Sequence, residues 1–398
     1  MDPVNPLPAI AALLVAYGTS SLIAQRFGAP SVNGRFASID GLRGYLAFCV
    51  FLHHSSIWYY YLRMGKWAVP PSNLYTQLGQ CAMSLFFMIT GFLFFSKLID
   101  GRVNRIDWLR LFVSRFLRLV PIYVLVITLL SIVVAILANG SLNEPIPKLI
   151  GGLVSWLTFT ITGSPDLNGV VNTGIIVARV TWSLPYEWMF YLSLPLLAML
   201  VGVIPPIWTI VLSVASVWYF RTWHPTVHDF SFLCGIATAL IARSDRCRSV
   251  AVRKASSLIA IGCTLVAVTV FPSVYEVIPF ALIAVSFMLV ACGNSLFGLL
   301  LSPVSRTLGD YSYGIYLFHG ITLFATFHFV VGVPASAALS SMQHWLIILG
   351  LIPILIFASF VSYRVVEHPA MQATATVTAW LRRQFMRSPL VRPGGEAS

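Results

Sequence analysis

Apolar positions in this chain do not alternate with polar ones; they run in blocks. Blocks bounded by charge or by Pro and Gly clusters lie at 7–24, 41–62, 77–97, 119–139, 183–202, 204–221, 229–243, 256–273, 276–292, 308–331 and 343–363. A helix needs about 20 mostly apolar residues to cross the hydrocarbon core of a bilayer, so these eleven blocks predict spanning helices. A twelfth block, 149–163, is short and runs into a polar Gly/Asn/Asp loop. It predicts a re-entrant or interfacial helix. The fold class expected is therefore all-α, a polytopic integral membrane protein. The block at 7–24 lacks the basic start of a signal peptide, since Asp2 is the only charge in residues 1–6. It is expected to be a retained span with the N-terminus outside. The chain shows no internal repeat, which leaves an inverted-repeat transporter without support.

Composition sharpens the class. Of 398 residues, 58% are hydrophobic and 10% charged, and mean hydropathy is +0.84. Soluble domains carry about 25% charged residues, so a soluble enzyme, a disordered chain and a coiled coil are all excluded. The net charge of +12 would suggest nucleic acid in a soluble protein. In a membrane protein it marks basic cytoplasmic loops, and no nucleic-acid partner is expected. With the start of 41–62 placed in the cytoplasm and the eleven spans threaded alternately, twenty of the 25 Lys and Arg fall on that side. Arg63, Lys66, Lys148, Arg179 and Arg221 fall on the other. The split supports a plasma or inner membrane protein with a cytoplasmic C-terminus. The basic tail from 371 is expected to be helical to about 387 and disordered beyond. Six scattered cysteines with no CxxC pair imply neither a disulfide framework nor a metal site.

Ionisable groups at membrane depth are costly and mark function. Arg43 and His54 are eleven residues apart, ~20° in helical phase and ~16 Å along the axis, so one helix face carries both. His53 faces elsewhere. Glu187, five residues after Trp182, is expected ~7 Å below the outer edge of its span, level with His54. His319 is expected near mid-membrane. A carboxylate and an imidazole at one depth suit acid–base work. Arg115 and Arg118, i and i+3 at the start of a span, share a face and can grip phosphates or simply set topology. There is no GxxxxGKS, GxGxxG after a strand, or HExxH, so nucleotide hydrolysis, dinucleotide redox and zinc proteolysis are unsupported.

The motifs also stand in a known order. Ser38-Ile-Asp-Gly-Leu-Arg43-Gly44, with His54 eleven residues after Arg43, resembles the opening of the membrane acyltransferase 3 family. Ser84 to Phe92 resembles its second span, and Arg115-Phe-Leu-Arg118 its RxxR element. Trp182-Ser-Leu-Pro-Tyr-Glu187 resembles WSLxxE, and Tyr311 to His319 resembles SYxxYLxH. Tyr363-Arg-Val-Val-Glu367-His-Pro369 resembles the closing YRxxExP. Pro185, Tyr186, Phe318 and Gly320 depart from the residues usual there. The resemblance implies a ten-helix core over 38–370, with 1–37 an added span and its link and 371–398 a basic tail.

It also implies O-acylation of a sugar. Acetyl-CoA or another acyl-CoA would be the donor, and no bound cofactor or metal is implied. The acceptor would be an envelope glycan, such as lipopolysaccharide O-antigen or exopolysaccharide, or a smaller glycoside. On this reading Arg43, Arg115 and Arg118 bind the donor, and His54 serves as general base or as nucleophile. Glu187 steadies the imidazole, while Tyr316 and His319 line the acceptor side. The rival class is a transporter of a polar solute or lipid-linked sugar, which the buried charges alone do not exclude. A scaffold without activity is a third reading, opposed by the joint presence of Arg43, His54 and Glu187.

Overall fold

A computed structural model describes residues 2–29, 36–223 and 227–387. Arg35 and Arg392, counted among the cytoplasmic cations, lie outside those residues, as does the expected disordered end of the tail.

Every predicted block is helical. In order these are α1 (Leu7–Phe27), α2 (Ala37–Met64), α3 (Asn73–Asp100), α4 (Trp108–Leu137), α5 (Ile146–Leu157), α6 (Ser183–Leu200), α7 (Ile207–Trp223), α8 (Asp229–Ile241), α9 (Asp245–Ala251), α10 (Lys254–Val270) and α11 (Val277–Ala291). Then come α12 (Pro303–Asp310), α13 (Ser312–Ala325), α14 (Val333–Ala338), α15 (Ser341–Ser362), α16 (His368–Gln372) and α17 (Thr374–Arg387). Among the described residues there is no strand, only an isolated bridge between Leu167 and Val170. Among the described residues five segments are long and apolar enough to cross a membrane, Leu7–Phe27, Asn73–Asp100, Trp108–Leu137, Ser312–Val330 and Ser341–Gln372, or six if the bent pair Asp245–Ala251 and Lys254–Val270 makes one span. The protein is an all-α, multi-pass membrane protein. Its large exposed side chains are apolar along whole helix faces, as at Leu258 and Leu265 of α10, which suits lipid rather than water.

Helix ends follow local chemistry. Ser72 accepts from the Tyr75 amide to start α3, Asp107 accepts from the Arg110 amide to start α4, and Ser340 with Gln343 forms a capping box for α15. Gly65 ends α2 in the left-handed conformation. The helix α5, with 12 residues, is ~18 Å long and too short to cross a ~30 Å core. Its exposed Ile146, Ile150 and Val154 lie on one face, as an interfacial helix requires. The segment α1 packs on α12 and α15. Tyr75 Oη donates to Asn5 O at 2.9 Å and Arg364 Nη2 to Phe27 O at 3.0 Å, so both ends of α1 are tied to the bundle.

Two close approaches set the frame for the chemistry. A Cβ on Gly44 would lie 2.6 Å from Leu308 C, so only glycine lets α2 cross α12 at that point. A Cβ on Gly320 would lie 2.3 Å from Val177 C. There α13 meets the 3₁₀ turn Thr173–Val177, all of whose residues are buried. The polar loop that follows the 149–163 block is thus not wholly exposed; its second half is folded into the bundle.

Candidate active site

Two groups of side chains lie along α2 and α13, which run in the same direction. The α12 end of that pair packs at Gly44, and the rings of His54 and His319 meet further along.

The first group lines a cavity of about 320 Å³. Asp40 and Arg43 come from α2, Lys97 from α3, Arg115 and Arg118 from α4, Glu187 and Tyr191 from α6, and Tyr313 and Tyr316 from α13. Four cations face two carboxylates. Among the described residues none of the three guanidiniums has a carboxylate within ion-pair distance. Arg115 instead lies over the Phe94 ring at 5.1 Å, and Arg118 Nη1 is 3.9 Å from Met371 Sδ. Surplus positive charge is what an anion needs. Lys97 and Arg115 also line an adjoining cleft of about 580 Å³ with Arg105 and Arg110. Its carboxylates are occupied: Asp100 pairs with Arg243 at 2.8 Å and Asp107 with Arg382 at 2.5 Å.

The second group is a pair of imidazoles. His319 Nδ1 lies 3.1 Å from Ile315 O, and His319 Nε2 lies 3.0 Å from His54 Nδ1. His54 Nδ1 also lies 3.1 Å from Val50 O. A carbonyl only accepts, so Nδ1 of each ring carries the proton. His319 then accepts at Nε2 from His54 Nδ1–H. That leaves the lone pair of His54 on Nε2, the nitrogen free for chemistry. The neutral partner fixes tautomer and ring plane and can steady an imidazolium. Trp67 stacks on His54 at 6.0 Å and 22°. The neighbouring His53 is buried and bonded to Tyr75 O at 2.7 Å, a packing role, as its different face implies.

Three expected placements change. Glu187 is not paired with His54. It lines the cation cavity, interacts electrostatically with Arg43 and Arg115, and accepts a hydrogen bond from Tyr191 Oη. The cause is the start of α6. Ser183 Oγ is 2.8 Å from Tyr316 Oη, so this end of α6 lies inside the bundle rather than at its outer edge. Glu187, four residues on, is ~6 Å further toward the arginines. Tyr316 lines the cation cavity with Arg43 rather than a separate acceptor side, and it donates to Val180 O at 2.8 Å. His319 is the partner of His54 itself. Lys97 and Trp67 escaped notice in the sequence. A lysine at the end of an apolar run reads as topology, and nothing in the pattern folds the 65–72 loop onto His54.

A family profile described as an acyltransferase domain matches residues 36–364. The chain belongs to this acyltransferase family. It is 25% identical over 371 residues to an acyltransferase, MdmB, of Streptomyces mycarofaciens, a match covering 85% of this chain and 92% of that one. No solved structure matches it significantly. The matched region starts just before α2 and spans every residue of the cation cavity and the histidine pair, while α1 precedes it. This acyltransferase therefore carries its candidate chemistry wholly inside the family domain.

Proposed function

We propose that this acyltransferase moves an acyl group, in the simplest case acetyl, from acyl-CoA to a hydroxyl of a cell-envelope sugar. The observation that carries this reading is the location of His54. Its Nε2 lone pair is unengaged, and on the same helix face, ~16 Å away, Arg43 enters a cavity with three further cations. The adjoining basic cleft suits the nucleotide phosphates of the donor, and the narrower cavity suits its pantetheine arm. Tyr316 stands between that cavity and the histidines, its ring 6.2 Å from His319.

In the reaction, His54 Nε2 takes the proton of the acceptor hydroxyl as its oxygen attacks the thioester carbonyl. The C–O bond forms and the C–S bond breaks. The departing CoA thiolate takes the proton back from His54, giving ester and free thiol. His319 holds the Nδ1–H throughout.

Purified protein incubated with radiolabelled acetyl-CoA and envelope glycans of the cell that makes it is expected to release CoA thiol and to leave label in base-labile glycan esters. Solute counterflow without label in glycan would instead identify a transporter.

A further inference from the structure

A separate cavity of about 510 Å³ opens at the other end of α2, lined by Trp58, Tyr61, Phe324, His328 and Asn172 among others. Trp58 is ~22 Å along α2 from Arg43, so this cleft and the cation cavity lie toward opposite ends of one helix. Their chemistry is opposite too. Among the described residues no Lys, Arg, Asp or Glu lines the second cleft, which makes it unsuited to phosphates and suited to an uncharged ligand.

One ring links the cleft's lining to His54. Trp58 and Tyr61 are four and seven residues beyond His54, on the same helix face. Trp67 closes the gap: its ring lies 5.4 Å from Tyr61, 5.8 Å from Trp58 and 6.0 Å from His54. An aromatic wall therefore runs without a break from the mouth to the imidazole. Such rings offer flat apolar faces to the C–H face of a pyranose, and polar groups at the edges bind its hydroxyls. One donor is already in place and unused. Trp58 is 2% exposed, and its indole N–H has no acceptor among the described residues. A buried donor left open costs free energy, and a turn of the indole toward the cleft would let a ligand hydroxyl satisfy it.

We propose that this cleft is the acceptor site and that it takes an uncharged pyranoside, whose hydroxyl passes Trp67 to reach His54 Nε2. The inference rests on the acyl-transfer reading and adds to it the route by which acceptor meets donor, from the opposite end of α2.

Val171, 75% exposed at the rim of this cleft, gives a test that does not disturb the core. Val171→Cys in a Cys-free background is compared before and after reaction with a bulky maleimide, using radiolabelled acetyl-CoA and envelope glycan as probes. Complete modification is expected to cut label in glycan at least about tenfold and to leave acetyl-CoA affinity, read by thermal shift, unchanged. Undiminished label after complete modification would overturn this inference and leave acyl transfer standing. Absence of glycan label even from the unmodified wild-type protein would overturn both. Trp58→Phe keeps the ring and removes the N–H. It is expected to raise the acceptor KM roughly 3–10-fold with the acetyl-CoA KM unmoved; an unchanged acceptor KM would contradict the role of that N–H.

Discussion

At the level of single residues, the assignment turns on protons and charges. His319 presents a neutral Nε2 to His54 Nδ1 at 3.0 Å, so His319→Leu removes the acceptor while His319→Gln offers an amide oxygen in its place. The leucine variant is expected to lose roughly 10–100-fold in kcat with the acetyl-CoA KM unchanged, and the glutamine variant to recover part of the loss. Equal kcat in all three proteins would deny His319 its positioning role. Arg115 and Arg118 act on a different parameter. Each charge-assisted contact with a phosphate is worth about 1.5–3 kcal/mol, so alanine at either should weaken acetyl-CoA binding roughly 10–150-fold by calorimetry. Arg118→Lys should restore only part, because an ammonium lacks the planar fork. His54, Arg43 and the arginine pair were legible in the sequence because helical phase puts residues eleven or three apart on one face. Glu187 was placed at the wrong depth because phase says nothing of where in the bilayer a helix begins. That depends on Ser183 meeting Tyr316, a contact between residues 133 apart.

At the level of elements, glycine at a crossing is a sharper test than any polar residue. A Cβ at Gly320 would press on the Val177 backbone, which cannot yield as a side-chain tip can. Gly320→Ala is expected to destabilise by about 1–3 kcal/mol in a denaturation series and to lower kcat, since Tyr316 and His319 ride on the same helix. Gly350 on α15 has nothing within 4 Å of its Cβ position. Alanine there should be neutral or stabilising by up to ~1 kcal/mol. Matching losses at both positions would mean that helix propensity, not packing, governs Gly320. The helices themselves were legible from block length. The 3₁₀ turn Thr173–Val177 was not, because its sequence is short, mixed and bounded by Gly and Asn, the pattern of an exposed loop; burial comes from α13 receiving it.

At the level of the whole molecule, basic residues gather at the end of the bundle that holds Arg43, Arg115 and Arg118, while the aromatic cleft lies at the other. On the proposed reading, the positive-inside rule would put the cation cavity in the cytoplasm, where CoA thioesters are. Val69, 58% exposed, and Ser249 are accessible probes of the two sides. With cysteine at each in a Cys-free background, an impermeant maleimide should label position 69 in intact cells and position 249 only after permeabilisation. The reverse pattern would move the donor site to the outside and remove its supply of acyl-CoA.

On the proposed reading, His54 performs transfer on a donor bound independently of it. Acetyl-CoA affinity and label transfer to envelope glycan are to be measured on the same sample of His54→Ala in nanodiscs, beside wild type. The expected result is wild-type affinity with transfer at least about 100-fold slower. Transfer at the wild-type rate, with affinity unchanged, would contradict it.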